Sequence, residues 1–243
     1  MNLIGKTILI TGVTSGIGLE LLNFLHKENK VIILGRNIQK LESLTKKFTN
    51  LDTYLVDLEN LNQIQASVEK ILIKYPNIDL LINNAAIQYT EYFLDENFNF
   101  NNIAREIQVN LTAPIQLISL TLPLLLKKDL SIILNINSGL GLVPKTSSAV
   151  YCATKSALNS FSSSLDYQLE KTNIEVFQAF LPLVDTPMTK GRGQKKISSK
   201  TAAEKIILGL EHNLKINYIG KVKLLGILNR LFPKIASSLM KRS

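Results

Sequence analysis

Between Lys6 and Leu25 the chain reads KTILITGVTSGIGLELLNFL, and this junction limits what the chain can fold into more than any other segment. Thr7 to Thr11 is a short apolar run suited to a buried parallel strand. Gly12, Gly16 and Gly18 follow, and then Leu19, Leu22, Phe24 and Leu25 recur at helical spacing. Strand, glycine-rich turn and helix in that order form the context a dinucleotide-binding turn requires. The glycines permit a tight turn and close backbone approach to a pyrophosphate, and the helix N-terminus favours the anion. The spacing is G-x-x-x-G-x-G, with Thr14 and Ser15 as extra donors. Gly12, Thr14, Ser15, Gly16, Ile17 and Gly18 are therefore the first candidate cofactor-binding residues.

The rest of the chain keeps the same alternation. The patterns predict strands at 6–11, 30–35, 52–56, 79–82, 131–137, 174–180 and 216–219. Helices are expected between them at 16–28, 37–48, 60–74, 98–126, 149–171 and 200–213. This argues for an α/β fold: a doubly wound parallel sheet of about seven strands with helices on both faces. At 243 residues and 46% hydrophobic content, the expectation is one domain over 1–243, ending in a basic amphipathic extension at 222–241. One cysteine excludes an internal disulfide. The first strand begins too early to leave room for a signal peptide, so the cytoplasm is the default location. The longest apolar stretch, Leu117 to Leu126, reads as a buried helix too short to span a bilayer. Thr186 to Lys200, polar and carrying Gly191 and Gly193, is the segment expected to be mobile.

Chemistry is concentrated in YCATK, where Tyr151 and Lys155 stand four residues apart, and in Ser138, thirteen residues upstream. On a helix, i and i+4 side chains share a face. A fixed ammonium nearby favours phenolate and would bring the phenol pKa from its usual ~10 toward the working range. A Ser hydroxyl from a neighbouring strand end could then hold a substrate oxygen beside the phenol. The plainer alternatives are an aromatic core residue for Tyr151 and a capping hydroxyl for Ser138.

TGVTSGIG, NNAA, Asn110, Ser138 and YCATK, in this order and spacing, resemble the short-chain dehydrogenase/reductase family from about residue 5 to about residue 188. NNAAIQ, NSGLGLVP and LPLVDT resemble, more narrowly, a bacterial subgroup named after the oxidoreductase encoded beside D-alanyl-lipoteichoic-acid genes. The resemblance implies a Rossmann-type sheet and hydride transfer between nicotinamide and a carbonyl or secondary alcohol. It further implies Tyr151 as general acid/base, Ser138 as partner of the substrate oxygen, and Lys155 on the nicotinamide ribose. Asn110 matches the position whose backbone carbonyl holds a relay water. Asp57 and Leu58 would meet the adenine. Asn83, Ala85, Pro182, Val184 and Thr186 would line the rest of the cofactor. Ala86 and Leu183 depart from the family pattern, which has glycine at both places. Homodimers or homotetramers paired through 98–126 and 149–171 are expected as well.

Cofactor choice can be argued from the second strand. Chains selecting NAD usually carry a carboxylate about 20 residues past the glycines. Here Gly35 ends the strand and Arg36 follows. A guanidinium would pair with a 2′-phosphate, which favours NADP(H) over NAD(H).

Other classes lack support. Two histidines and one cysteine provide no metal cluster of familiar spacing, and no G-x-S-x-G elbow or G-K-[ST] loop is present. Leu140, Leu142, Val143, Pro144 and Leu183 give the expected substrate entrance an apolar character, suiting an apolar small molecule. The formal charge is +9, yet residues 186–243 hold 13 Lys and Arg against 2 acids, so the tail is strongly basic. Val222, Leu225, Leu228, Phe232, Ile235 and Leu239 recur there at helical spacing, and Pro233 should divide the stretch into 222–231 and 233–241. Such a tail could lie at an anionic inner-membrane surface, cap the substrate cleft or build an oligomer interface. No nucleic-acid recognition motif accompanies the charge. A non-catalytic NADP(H)-binding sensor or membrane scaffold is the alternative from another class.

Overall fold

The computed structural model describes residues 2–241. Seven strands form one parallel sheet: β1 (Thr7–Thr11), β2 (Lys30–Gly35), β3 (Leu51–Leu55), β4 (Leu80–Asn83), β5 (Ser131–Ser138), β6 (Ile174–Leu181) and β9 (Ile216–Tyr218). Their spatial order is β3-β2-β1-β4-β5-β6-β9. Ile8, Leu9 and Ile10 pair with Val31, Ile32 and Ile33 on one side and with Leu80, Leu81 and Ile82 on the other. All nine residues are buried, as expected of parallel strands covered on both faces.

Alternation along the strands feeds two cores. Ile8, Ile10, Val31 and Ile33 face α1 (Gly16–Leu25), α2 (Ile38–Lys47) and α7 (Ser199–Glu211). Leu9, Ile32 and Leu81 face α3 (Leu61–Lys74), α5 (Ala113–Leu125) and α6 (Ala149–Leu169). Because the strand order reverses between β1 and β4, their C-terminal ends open a crevice, the usual binding place in such sheets.

Three sequence expectations are corrected. The single helix expected at 98–126 is α4 (Asn101–Ile107), a π turn at Gln108–Thr112 and α5. The continuous run Asn101–Leu125 is long and apolar enough by length and composition to cross a membrane, but Leu117, Ile118, Leu124 and Leu125 are spent in the core. The segment expected to be mobile is pinned. Val184–Asp185 (β7) pairs with Ile197–Ser198 (β8), and Lys196 Nζ donates to the Thr189 carbonyl at 2.6 Å. The C-terminal stripe is not continuous either. On α8 (Val222–Leu231), Val222 is buried and Leu225 and Leu228 are half-buried. On α9 (Pro233–Lys241), Phe232 at its entry, Ile235 and Leu239 are exposed. Pro233 starts a new helix, so the inward face is reset to Ala236.

Candidate active site

The glycine turn is locked against the end of β4. A Cβ on Gly18 would lie 2.1 Å from the Gly12 carbonyl oxygen, and one on Gly12 would lie 2.7 Å from Ala85 Cα. Gly12 and Gly16 also hold φ of +73° and +57°, which side chains resist. Asn84 Nδ2 donates to the carbonyls of Thr11 and Gly12 at 3.0 Å, and Thr11 Oγ1 accepts from the Asn84 and Ala85 amides. Sequence reasoning chose Asn83 and Ala85 as site residues, but Asn84 ties the two strand ends together. Asn83 points into the sheet, where its Nδ2 donates to Asn135 Oδ1 at 2.9 Å. Ser15 N-caps α1 without a side-chain cap bond, and no acid stands in the first turn. The amides of that turn are therefore open to an anion, with Thr14, Gly16 and Ile17 around them. Thr186 reaches this turn from the far end of β6, lying 3.1 Å from where a Gly16 Cβ would be.

At the second strand the expectation needs amending. Arg36 does follow Gly35, but a carboxylate arrives from elsewhere: Arg36 Nη1 donates to Glu59 Oε1 at 3.1 Å. Glu59 also accepts from Arg105 Nε and Nη2, each at 2.9 Å. The Arg105 guanidinium and, more weakly, Arg36 hold the Glu59 carboxyl below its usual range. Two guanidiniums share one carboxylate here, and Asp57 acts on Arg105 as well. Asp57 forms a turn in which its Oδ1 accepts from the Glu59 amide at 3.0 Å, with Leu58 buried beside it.

The candidate catalytic side chains converge at the end of β5 and the start of α6. Ser138 closes β5, its Oγ accepts from the Leu140 amide at 3.1 Å, and its side chain lowers the pKa of the Tyr151 phenol. The capping bond of Ser138 is present. Lys155 is buried, and its Nζ donates to the Ile136 carbonyl at 2.8 Å. Its Nζ lies 5.8 Å from the Tyr151 ring centroid. The expected depression of the phenol by Lys155 is not found among the protein's own groups. Burial pushes Tyr151 up to about 12, against the lowering effect of Ser138. Burial likewise lowers the Lys155 ammonium to about 8. Asn110 lies in the π turn, a feature frequent at functional sites. Its amide bonds the Ile87 carbonyl at 2.8 Å and accepts from the Ile87 amide at 2.9 Å. Cys152 is buried, as a small filler would be.

Both departures from the family pattern are accommodated. Ala86 does not adopt a positive φ, so its methyl meets no backbone strain. Leu183 lies over Gly193, where a Cβ would stand 2.3 Å from Leu183 Cδ2. Of the residues expected at the apolar entrance, Val143 is 1% exposed and packed inside, whereas Leu140 and Leu142 are half-buried and Pro144 and Leu183 exposed; Val184, expected at the cofactor, is 4% exposed. Pro182 is half-buried, with Gly220 packed nearby. Tyr89, Phe93, Phe98, Glu106 and Val150 line a separate small cavity of about 20 Å³. Lys145 and Arg192, half-buried cations that act on each other, were not singled out from the sequence, and Arg192 also acts on the phenol.

Glu106 is 2% exposed and accepts from the Tyr89 amide at 3.0 Å. Burial pushes its carboxyl up to about 7 from an ordinary 4.5. An unfolded chain releases this proton first, so folding stability falls as pH rises from the ordinary value through about 7 and is level above that. Glu106→Gln is expected to remove this slope, a difference of roughly 3 kcal/mol between pH 4 and 8 at most. Melting curves of both proteins across that range check it, and parallel curves would refute it.

The short chain dehydrogenase family model matches residues 6–197. The oxidoreductase DltE of Bacillus subtilis is 36% identical over 218 residues, covering 87% of this chain and 86% of that protein. An oxidoreductase of Staphylococcus epidermidis is 28% identical over 217 residues, covering 87% of this chain and 94% of its own. Among solved structures, a short chain dehydrogenase from Burkholderia cenocepacia in complex with NADP superposes with TM-score 0.88 at 21% identity, covering 99% of both chains. One from Burkholderia phymatum in complex with NAD gives TM-score 0.84 at 17% identity, covering 100% of this chain and 98% of its own. The locked glycine turn, the crevice and the matched residues agree, and the chain belongs to the short-chain dehydrogenase/reductase family as an oxidoreductase of the DltE type.

Proposed function

We propose that the protein is an NADP(H)-dependent oxidoreductase that interconverts a carbonyl and a secondary alcohol on a largely apolar small molecule. The observation that carries this reading is the meeting of Ser138, Tyr151 and Lys155 at the crevice, beside an uncapped helix N-terminus and a backbone turn with no room for a Cβ. When bound, the nicotinamide dinucleotide supplies or accepts the hydride. Gly12, Thr14, Ser15, Gly16, Ile17 and Gly18 would hold its pyrophosphate. Asp57 and Leu58 would hold its adenine, and Ala85, Pro182, Val184 and Thr186 its nicotinamide half.

The protein's own residues handle the proton. With its pKa near 12, Tyr151 carries its proton at neutral pH and can donate it from Oη to the substrate oxygen as negative charge grows there. Ser138 hydrogen-bonds the same oxygen, stabilising that charge. Lys155, cationic below about 8, would restrain the nicotinamide ribose. Asn110, anchored to Ile87, positions the π turn behind Tyr151 as the start of a proton path. Half-buried Leu140 and Leu142, with Leu183, favour an apolar substrate.

The relatives of similar fold include chains in complex with NADP and with NAD, so the cofactor preference must come from this chain's own residues. Arg36 is the 2′-phosphate ligand in this reading, and Arg105 offsets Glu59 so that the corner accepts the phosphate. Following bound-nicotinamide fluorescence, NADPH is expected to bind at least about tenfold tighter than NADH, or ~1.4 kcal/mol. Arg36→Ala should erase that preference while leaving NADH binding unchanged. Equal affinities in the native protein would refute the assignment. We further propose pairing into a homodimer or homotetramer through α4–α5 and α6, where Ile107 and Tyr167 are exposed. Light scattering against the 27.1 kDa chain mass decides it.

A further inference from the structure

The C-terminal hairpin carries more exposed apolar surface than packing on the domain explains. Leu224, Ile227 and Leu231 on α8 repeat at i, i+3 and i+7, and each is 47% or more exposed. Phe232, Ile235 and Leu239 repeat with the same spacing into α9 and are 56% or more exposed. Leu231 and Phe232 join the two sets. This is a second, outward stripe on α8, opposite the Val222, Leu225 and Leu228 face that meets the domain. Cations follow their own repeat: Lys223 and Arg230 are seven apart on α8, as are Lys234 and Lys241 on α9, and all four are exposed. Seven residues is close to two helical turns, so each pair lies along one edge of its helix. Together with Lys221, these cations take no part in any ion pair among the described residues. From His212 to Ser243 the sequence has seven Lys and Arg and no Asp or Glu.

We propose that α8 and α9 form a docking surface for an anionic lipid bilayer, with the outward leucines, isoleucines and Phe232 in the headgroup–acyl boundary and the cations on lipid phosphates. Apolar side chains flanked by Lys and Arg at helical spacing are what an interfacial helix requires. Anionic leaflets attract such basic segments. A second copy is the wrong occupant on charge. A two-fold interface brings the same patch against itself. Here that would oppose five cations with five, and no acid in the hairpin would offset them. The surface is also a rigid part of the fold. Asn229 Nδ2 donates to the Leu142 carbonyl at 3.3 Å, Thr146 Oγ1 donates to the Lys241 carbonyl at 2.9 Å, and Val222 packs on Gly139. Seating there would bring the loop after Ser138 to the lipid surface.

The test is co-sedimentation of the full chain with vesicles of phosphatidylglycerol and phosphatidylcholine, or of phosphatidylcholine alone, at low and high salt. Binding to the anionic vesicles should be at least about tenfold stronger, and weaker at high salt. Leu231→Ser/Ile235→Ser and Lys223→Glu/Lys234→Glu should each lower it by about tenfold or more. All four positions are exposed, and an unchanged circular dichroism spectrum confirms that the variants fold. Absence of binding, or equal binding to both vesicle types, overturns the proposal. So does full binding by the apolar variant, which is the behaviour of an acidic protein ligand held by charge alone. A native oligomer that the apolar variant dissociates, with no vesicle capture, assigns the face to a second copy and overturns it as well.

Discussion

Tyr151→Phe is expected to lower NADPH-dependent carbonyl reduction by about 100-fold or more, while NADPH affinity stays within about twofold. The substitution removes one oxygen and leaves the ring, which packs close to Lys155. It deletes the phenol hydroxyl on which Ser138 acts without creating a cavity. Loss should therefore fall on kcat, with little change in melting temperature. In the native enzyme the reduction rate should decline above about pH 8, where buried Lys155 loses its charge and with it the charge-assisted hold on the nicotinamide ribose. Below that pH, Tyr151 remains proton-loaded and the rate should level off. Steady-state kinetics from pH 6 to 10 with fluorescence titration of NADPH checks both statements. Full turnover in the Phe variant would remove Tyr151 from the chemistry and favour a chain that binds the dinucleotide without reacting.

Gly18→Ala should be the most damaging single methyl group in the protein. A Cβ there would stand 2.1 Å from the Gly12 carbonyl oxygen and 2.5 Å from Asn84 Nδ2. The obstacle is backbone, which cannot rotate away, and Gly12 cannot retreat because its own Cα lies against Ala85. Either the turn opens or α1 moves off β1, and in both cases the crevice loses its floor. Overpacking of this kind costs about 3 kcal/mol, which is a fall of roughly 6–12 °C in melting temperature for a chain of this size. Dinucleotide binding should be lost together with stability. Gly191 is the control: nothing lies within 4 Å of its added Cβ, although φ of +75° makes Ala there mildly strained. A Gly18→Ala protein that melts and binds like the native one would show that the turn is not locked as described.

Where local pattern decides structure, the sequence was readable. The seven sheet strands lie within one or two residues of the expected bounds: the five inner strands are short apolar runs buried on both faces, and the partly exposed edge strands β3 and β9 fall where the spacing of the helices leaves room for them. The C-terminal division at Pro233 was equally legible, since proline lacks the amide a helix interior needs. β7 and β8 were not legible, because two-residue strands have no periodicity and exist only through their pairing across residues 184–198. The π turn at Gln108–Thr112 was hidden for a similar reason: it has the composition of the helix around it and coincides with a long-range bond from Asn110 to Ile87.

By itself the sequence determined the glycine turn, the order of elements, and the residue types that meet at Ser138, Tyr151 and Lys155, because each depends on spacing within a short stretch. Only the tertiary structure decided how these groups are tuned. It paired Glu59 with Arg36 and Arg105, 23 and 46 residues away along the chain. It buried Lys155 and Glu106 so that desolvation, rather than their neighbours in sequence, sets their protonation. It also turned a second apolar stripe of the tail outward. Charge pairing, desolvation and exposure depend on what comes together from distant parts of the chain, and a linear pattern cannot carry that information.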